Sequence, residues 1–152
     1  MGGFGSLVTL LLLATTACGG GGGGGGASSA HPPQGETTYS ATYTNTGVEG
    51  GGCSESGQTG TTTEKVTRDG EGLSMFSGGR VGGANFFITL SGTVAGDGSF
   101  AMEGTGTSGG QSLTWTYDGS FSVDGWSGSR TMTWMSGGSR CVWSQTFTGS
   151  AR

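Results

Sequence analysis

Histidine is nearly absent: His31 is the only one in 152 residues, and it stands beside Pro32 in a stretch with no apolar pattern. Neither a Ser-His-Asp triad nor a histidine-based metal site can therefore be assembled in the chain that follows it. Basic residues are also scarce, six Lys plus Arg scattered singly against ten Asp plus Glu, for a formal net charge of −4. Without a basic stripe to neutralise phosphates, nucleic acid is excluded as a partner. Long apolar runs are missing too. The most apolar run, Leu7 to Ala14 (LVTLLLLA), falls well short of the roughly 18–20 residues that cross a bilayer as a helix. No window carries a convincing 3.6-residue apolar period, so no helix is expected.

Glycine, by contrast, is abundant, at 37 of 152 residues, but it lacks collagen spacing. Eight consecutive glycines occupy positions 19–26, followed by ASSAHPPQG. This composition cannot bury enough apolar surface to offset ordering entropy, so the segment reads as a tether. A phosphate-cradling loop would need a preceding strand, a following helix and a Gly-Lys-Ser/Thr ending, and all three are missing. The later glycines sit among aromatic and β-branched residues, and the roughly 120 residues after the first 30 suit one domain with one core.

The oily run is followed by the small residues TTA and then Cys18. This arrangement resembles a bacterial lipoprotein signal peptide, in which the cysteine closing the lipobox is acylated and becomes the first residue of the mature chain. The resemblance implies that Cys18 is the lipidated residue and that the protein is exported and membrane-anchored in the cell envelope, in the periplasm or at the cell surface. Ordinary signal cleavage after Ala17, leaving Cys18 as a free thiol, is the alternative that the small-residue pattern also permits. The expected organisation is a signal peptide over 1–17, a lipidated cysteine and flexible Gly/Ser/Pro-rich linker over 18–35, and one β-domain over 36–152.

From Thr37 onward apolar residues recur at period two, the mark of strands with one dry face. Phe86, Ile88, Leu90 and Val94 share a face, as do Leu113, Trp115, Tyr117, Phe121 and Val123. Asp-Gly pairs at 69–70, 97–98 and 124–125 fall between these runs and favour tight hairpin turns. The stretches SGTVAGDGSF and DGSFSVDGWS superpose as a weak repeat of two strands per unit. Strands are expected at 37–46, 60–68, 72–77, 85–95, 99–107, 112–123, 126–135 and 140–148. The fold class is thus all-β, a small antiparallel meander. Hairpin after hairpin favours an eight-stranded up-and-down β-barrel over a β-sandwich.

If Cys18 is lipidated, as the resemblance implies, the other cysteines form an even pair in an oxidising compartment. A Cys53–Cys141 disulfide would then tie the segment after the first strand to the last strand, where a meander must close. Two unpaired or metal-bound thiols are the alternative.

No catalytic constellation emerges, no metal site is expected and no cofactor is implied. The acidic residues fall mostly in turns or on wet faces, although a carboxylate-dependent hydrolase stays open as an alternative. GTGTSGG at 104–110 has Gly-x-Gly-x-x-Gly spacing, but a strand follows it, so there is no helix dipole to hold a pyrophosphate. On the last two strands Trp126, Met132 and Trp134 share a face with Arg130, and Cys141, Trp143 and Phe147 share one with Gln145. These faces either fill the barrel or line a small apolar pocket. Trp115, Tyr117, Arg130, Trp134, Trp143 and Gln145 are the candidate ligand-facing residues. The expected protein is a binding or structural module, not an enzyme. Its expected partners are the membrane, through the lipid, and an envelope protein or a small apolar ligand, as in a lipocalin-like carrier.

Overall fold

The computed structural model describes residues 31–51, 53, 60–81 and 84–152. The signal segment, Cys18 and the polyglycine run lie outside the described residues. Eight antiparallel strands follow one another along the chain: β1 Gly35–Glu49, β2 Gly60–Asp69, β3 Gly72–Val81, β4 Ala84–Val94, β5 Ser99–Ser108, β6 Gln111–Ser122, β7 Gly125–Ser136 and β8 Ser139–Ala151. Each pairs with the next and β8 pairs with β1, so the meander closes into a barrel. The sandwich is not formed.

Alternation explains the closure. Along β6 the buried residues are Leu113, Trp115, Tyr117 and Phe121. Equivalent positions on the other strands, among them Tyr39, Tyr43, Met75, Ile88, Phe100, Trp126 and Phe147, complete one interior cluster. Some rings meet edge-on or tilted, as between Phe86 and Trp115 at 5.1 Å and between Trp126 and Phe147 at 4.7 Å, while Trp126 lies parallel to Tyr117 and Phe121 to within 10°. Glycine makes room for them at particular rungs. Gly119 and Gly128 face each other across β6 and β7, and a Cβ on either would collide with a carbonyl of the opposite strand, Ser127 or Asp118. The ring of Phe100 fills the space above Gly119. A small barrel needs such gaps wherever its coiled wall carries large interior rings.

Turn chemistry differs from the sequence expectation at two points. The Asp-Gly pairs do mark hairpins, and Gly70 and Gly98 take positive φ. Gly125, however, opens β7, where a Cβ would run into the Gly149 carbonyl; it is required for close approach instead of for its φ. Val123 accordingly leaves the apolar row to which its spacing assigned it: β6 ends at Ser122, Val123 enters the turn, and it is 76% exposed. Residues 32–35, expected within the linker, belong with the barrel, and β1 already begins at Gly35. Pro32 is buried, its carbonyl accepts from Arg68 Nη1 at 2.9 Å, and Gln34 exchanges hydrogen bonds with the backbone of Gly70. These last residues before β1 are docked onto the barrel end.

Cys53 and Cys141 form a disulfide with a Cα separation of 5.8 Å. It joins the β1–β2 connection to β8, alongside the β1–β8 ladder that closes the wall. Bridging residues 88 apart in sequence contributes on the order of 4–5 kcal/mol in the chain-entropy model.

Candidate functional site

All six candidate residues point inward and lie on adjacent rungs. Tyr117 pairs with Arg130, Arg130 with Gln145, and Gln145 with Asn45, one continuous row across β6, β7, β8 and β1. Trp115, Met132 and Trp143 form the next row, and Trp134 pairs with Leu113 on one side and Cys141 on the other. Each of the six is at least nine-tenths buried.

The row is wired through hydrogen bonds. Arg130 Nη1 donates to Tyr117 Oη at 2.5 Å and Arg130 Nε donates to Gln145 Oε1 at 2.6 Å. Gln145 Nε2 and Trp143 Nε1 both donate to Asn45 Oδ1, at 2.6 and 3.2 Å. The guanidinium also lies over aromatic faces, 3.4 Å from the ring centroid of Tyr43 and 4.9 Å from that of Trp115. Facing this cation is Glu64, which the sequence reading did not single out. Glu64 Oε1 accepts from Tyr43 Oη at 2.9 Å, from Thr62 Oγ1 at 3.3 Å and from Ser77 Oγ at 3.4 Å. The Tyr117 hydroxyl lies 3.4 Å from that of Tyr43 and 3.5 Å from that of Ser77. A buried carboxylate and a buried guanidinium are thus joined by two tyrosine hydroxyls, with no direct contact between the charges.

Burial raises the Glu64 carboxyl above its ordinary range, and the hydrogen bond from Tyr43 and the charge of Arg130 pull back against it. Burial likewise pushes up the phenols of Tyr43 and Tyr117, so both act as neutral donors at any ordinary pH. Chemically the array is a compensated ion pair held in an aromatic shell. Arg130 spends its Nε and Nη1 donors and its π-face contacts on neighbours within the barrel, and this supports the filled-interior reading over an empty pocket. Among the described residues no three of His, Cys, Asp and Glu gather as metal ligands.

Glu64, Tyr43, Ser77 and Asn45 are the members that sequence reasoning missed. A signal existed for two of them. Glu64 lies two residues before Val66, the single apolar residue of β2, and Tyr43 continues the alternation of Tyr39 and Ala41. The chain matches no protein-family model and no curated protein.

Proposed function

We propose that this protein is an exported bacterial envelope lipoprotein, anchored through acyl chains on Cys18, whose barrel is a binding or structural module and not a catalyst. The observation that carries this reading is the Cys53–Cys141 disulfide. Disulfides persist in oxidising, exported compartments, and this one leaves a single cysteine, Cys18, at the end of the apolar leader. The composition ahead of the barrel fits the same reading: a Gly/Ser-rich coil of the length of residues 19–30 would have an r.m.s. reach of about 20 Å, enough to lift a small barrel clear of lipid headgroups. The side chains on the barrel interior engage one another, which favours a module working through its outer surface and loops over a carrier with a hollow core.

Expression of the full chain in a bacterium, followed by fractionation and mass spectrometry of the N-terminal peptide, tests the proposal. The expected result is a diacyl- or triacyl-modified Cys18 in the membrane fraction and release of a Cys18→Ser variant from that fraction. An unmodified chain cut after Ala17, or membrane retention unchanged in the variant, would overturn the anchor.

A further inference from the structure

The outer wall carries one feature that neither the core nor the anchor accounts for. Phe76 on β3 and Phe87 on β4 point away from the barrel, 62% and 67% exposed, with their rings parallel to within 5° and their centroids 5.6 Å apart. Gly78 lies directly opposite Phe87 in the ladder. A Cβ there would sit 2.8 Å from Phe87 Cδ1 and 3.0 Å from Cε1. The missing side chain is therefore what lets the Phe87 ring lie down across β3, parallel to Phe76. The surroundings are polar and carry both signs of charge, with no field of one sign to select an ion: Thr89 and Lys65 lie opposite Phe76, Asn85 and Ser91 extend the same exposed face of β4, and the register sets Arg80 opposite Asn85 and Glu103 opposite Ser91. Lys65 is engaged by Glu36 at 2.7 Å.

From this geometry we propose that Phe76 and Phe87 form a binding platform for an uncharged oligosaccharide. Two thirds of two phenyl side chains is on the order of 250 Å² of apolar surface, well below the roughly 800 Å² per partner of a stable protein interface. A second copy or a folded partner is thus poorly matched, whereas the face of one or two pyranose rings is matched in size. The chemistry agrees. The axial C–H groups of a pyranose carry partial positive charge and settle on the negative face of an aromatic ring. Its equatorial hydroxyls reach outward to donors and acceptors such as Thr89, Asn85 and Ser91. A nucleobase would stack equally well, but the absence of a basic stripe removes the phosphate attraction it needs. The proposal does not depend on Cys18.

Titration of the purified protein with cellohexaose and with an N-acetylglucosamine hexamer, followed by NMR of the phenylalanine ring protons and backbone amides, tests it. At least one sugar should bind with a dissociation constant of about 0.1–5 mM, with the largest shifts at Phe76, Phe87, Gly78 and Thr89. Phe76→Ala and Phe87→Ala should each weaken binding at least about tenfold, while Phe87→Trp keeps it within about threefold. No shift with either sugar at about 5 mM, or unchanged binding in the Phe76→Ala/Phe87→Ala double variant, overturns the platform. So does a wild-type dimer that this double variant converts to monomer, which would assign the patch to a second copy. Loss of thermal stability in Phe87→Ala without any sugar binding in the wild type would overturn it in favour of cross-strand packing on Gly78.

Discussion

Arg130 and Tyr43 meet face-on inside the barrel, with the guanidinium carbon 3.4 Å from the ring centroid, while the hydroxyl of the same tyrosine donates to Glu64. One side chain thus serves the cation through its π-face and the anion through its O–H. Two opposite charges are stabilised in a water-poor interior without touching. This coupling through a shared neighbour makes the array testable by substitution.

Removing one charge should cost more than removing both. Arg130→Met keeps length and apolar volume but leaves Glu64 buried without a counter-charge, a defect worth on the order of 3–5 kcal/mol. In the double variant Arg130→Met/Glu64→Gln no net charge is left in the interior, and much of that loss should return. Urea unfolding of the wild type, both single variants and the double variant gives a coupling energy expected to exceed about 1 kcal/mol. Strict additivity would show that the tyrosine hydroxyls do not transmit the interaction.

The same carboxylate predicts a pH dependence with a definite sign. Burial raises Glu64 above its ordinary value of 4.5, so the native state holds the proton more tightly than the unfolded chain does. Its contribution to stability is complete below about pH 4.5 and declines as the pH rises through the native-state value. Glu64→Gln lacks this decline. Relative to wild type, its melting temperature should therefore improve between about pH 4 and pH 8. A difference between the two proteins that stays flat over this range would mean that Glu64 titrates as it does in the unfolded chain.

How far the sequence exposed this arrangement depends on the strand. β6 and β8 each place several large apolar residues two apart, so the dry face declares itself, and Tyr117, Arg130 and Gln145 follow from parity alone. β2 reads GTTTEKVTRD, with one apolar residue to set the phase, and its carboxylate passed for a residue of the wet face. The pairing of Glu64 with Arg130 is also a property of closure, because β2 and β7 are distant along the chain and meet only across the barrel interior. Val123 shows the opposite failure. Its spacing is right for the core, but the turn begins one residue earlier than the Asp-Gly pair indicates. Cys53 and Cys141 were legible as a pair through cysteine parity and the demands of meander closure.

The disulfide should be a major contributor to stability. Replacing both cysteines with serine, or reducing the bond, is expected to cost about 2–5 kcal/mol and to lower the melting temperature by more than about 8 °C. Cys141 is fully buried beside Trp134, so the near-ultraviolet circular dichroism of tryptophan should change along with the melting temperature. Calorimetry with and without reductant checks the first outcome. A shift within about 2 °C would mean that the β1–β8 ladder closes the barrel without help.

Glycine abundance in this domain has two separate causes, and substitution distinguishes them. At Gly128 a Cβ would collide with the Asp118 carbonyl on β6, so Gly128→Ala must push two hydrogen-bonded strands apart. A loss above about 2 kcal/mol is expected there, because backbone cannot yield as a flexible side chain can. Gly96, in the β4–β5 turn, has open space around its Cα and no positive φ. At that site alanine only reduces the freedom of the unfolded chain, and Gly96→Ala should be neutral or stabilising by up to about 1 kcal/mol. Denaturant midpoints of the two variants, measured side by side, should move in opposite directions or differ by at least the strand penalty. Equal midpoints would mean that the β6–β7 approach is looser than the Gly119–Gly128 rung implies, and that the interior rings are seated by some other relaxation of the wall.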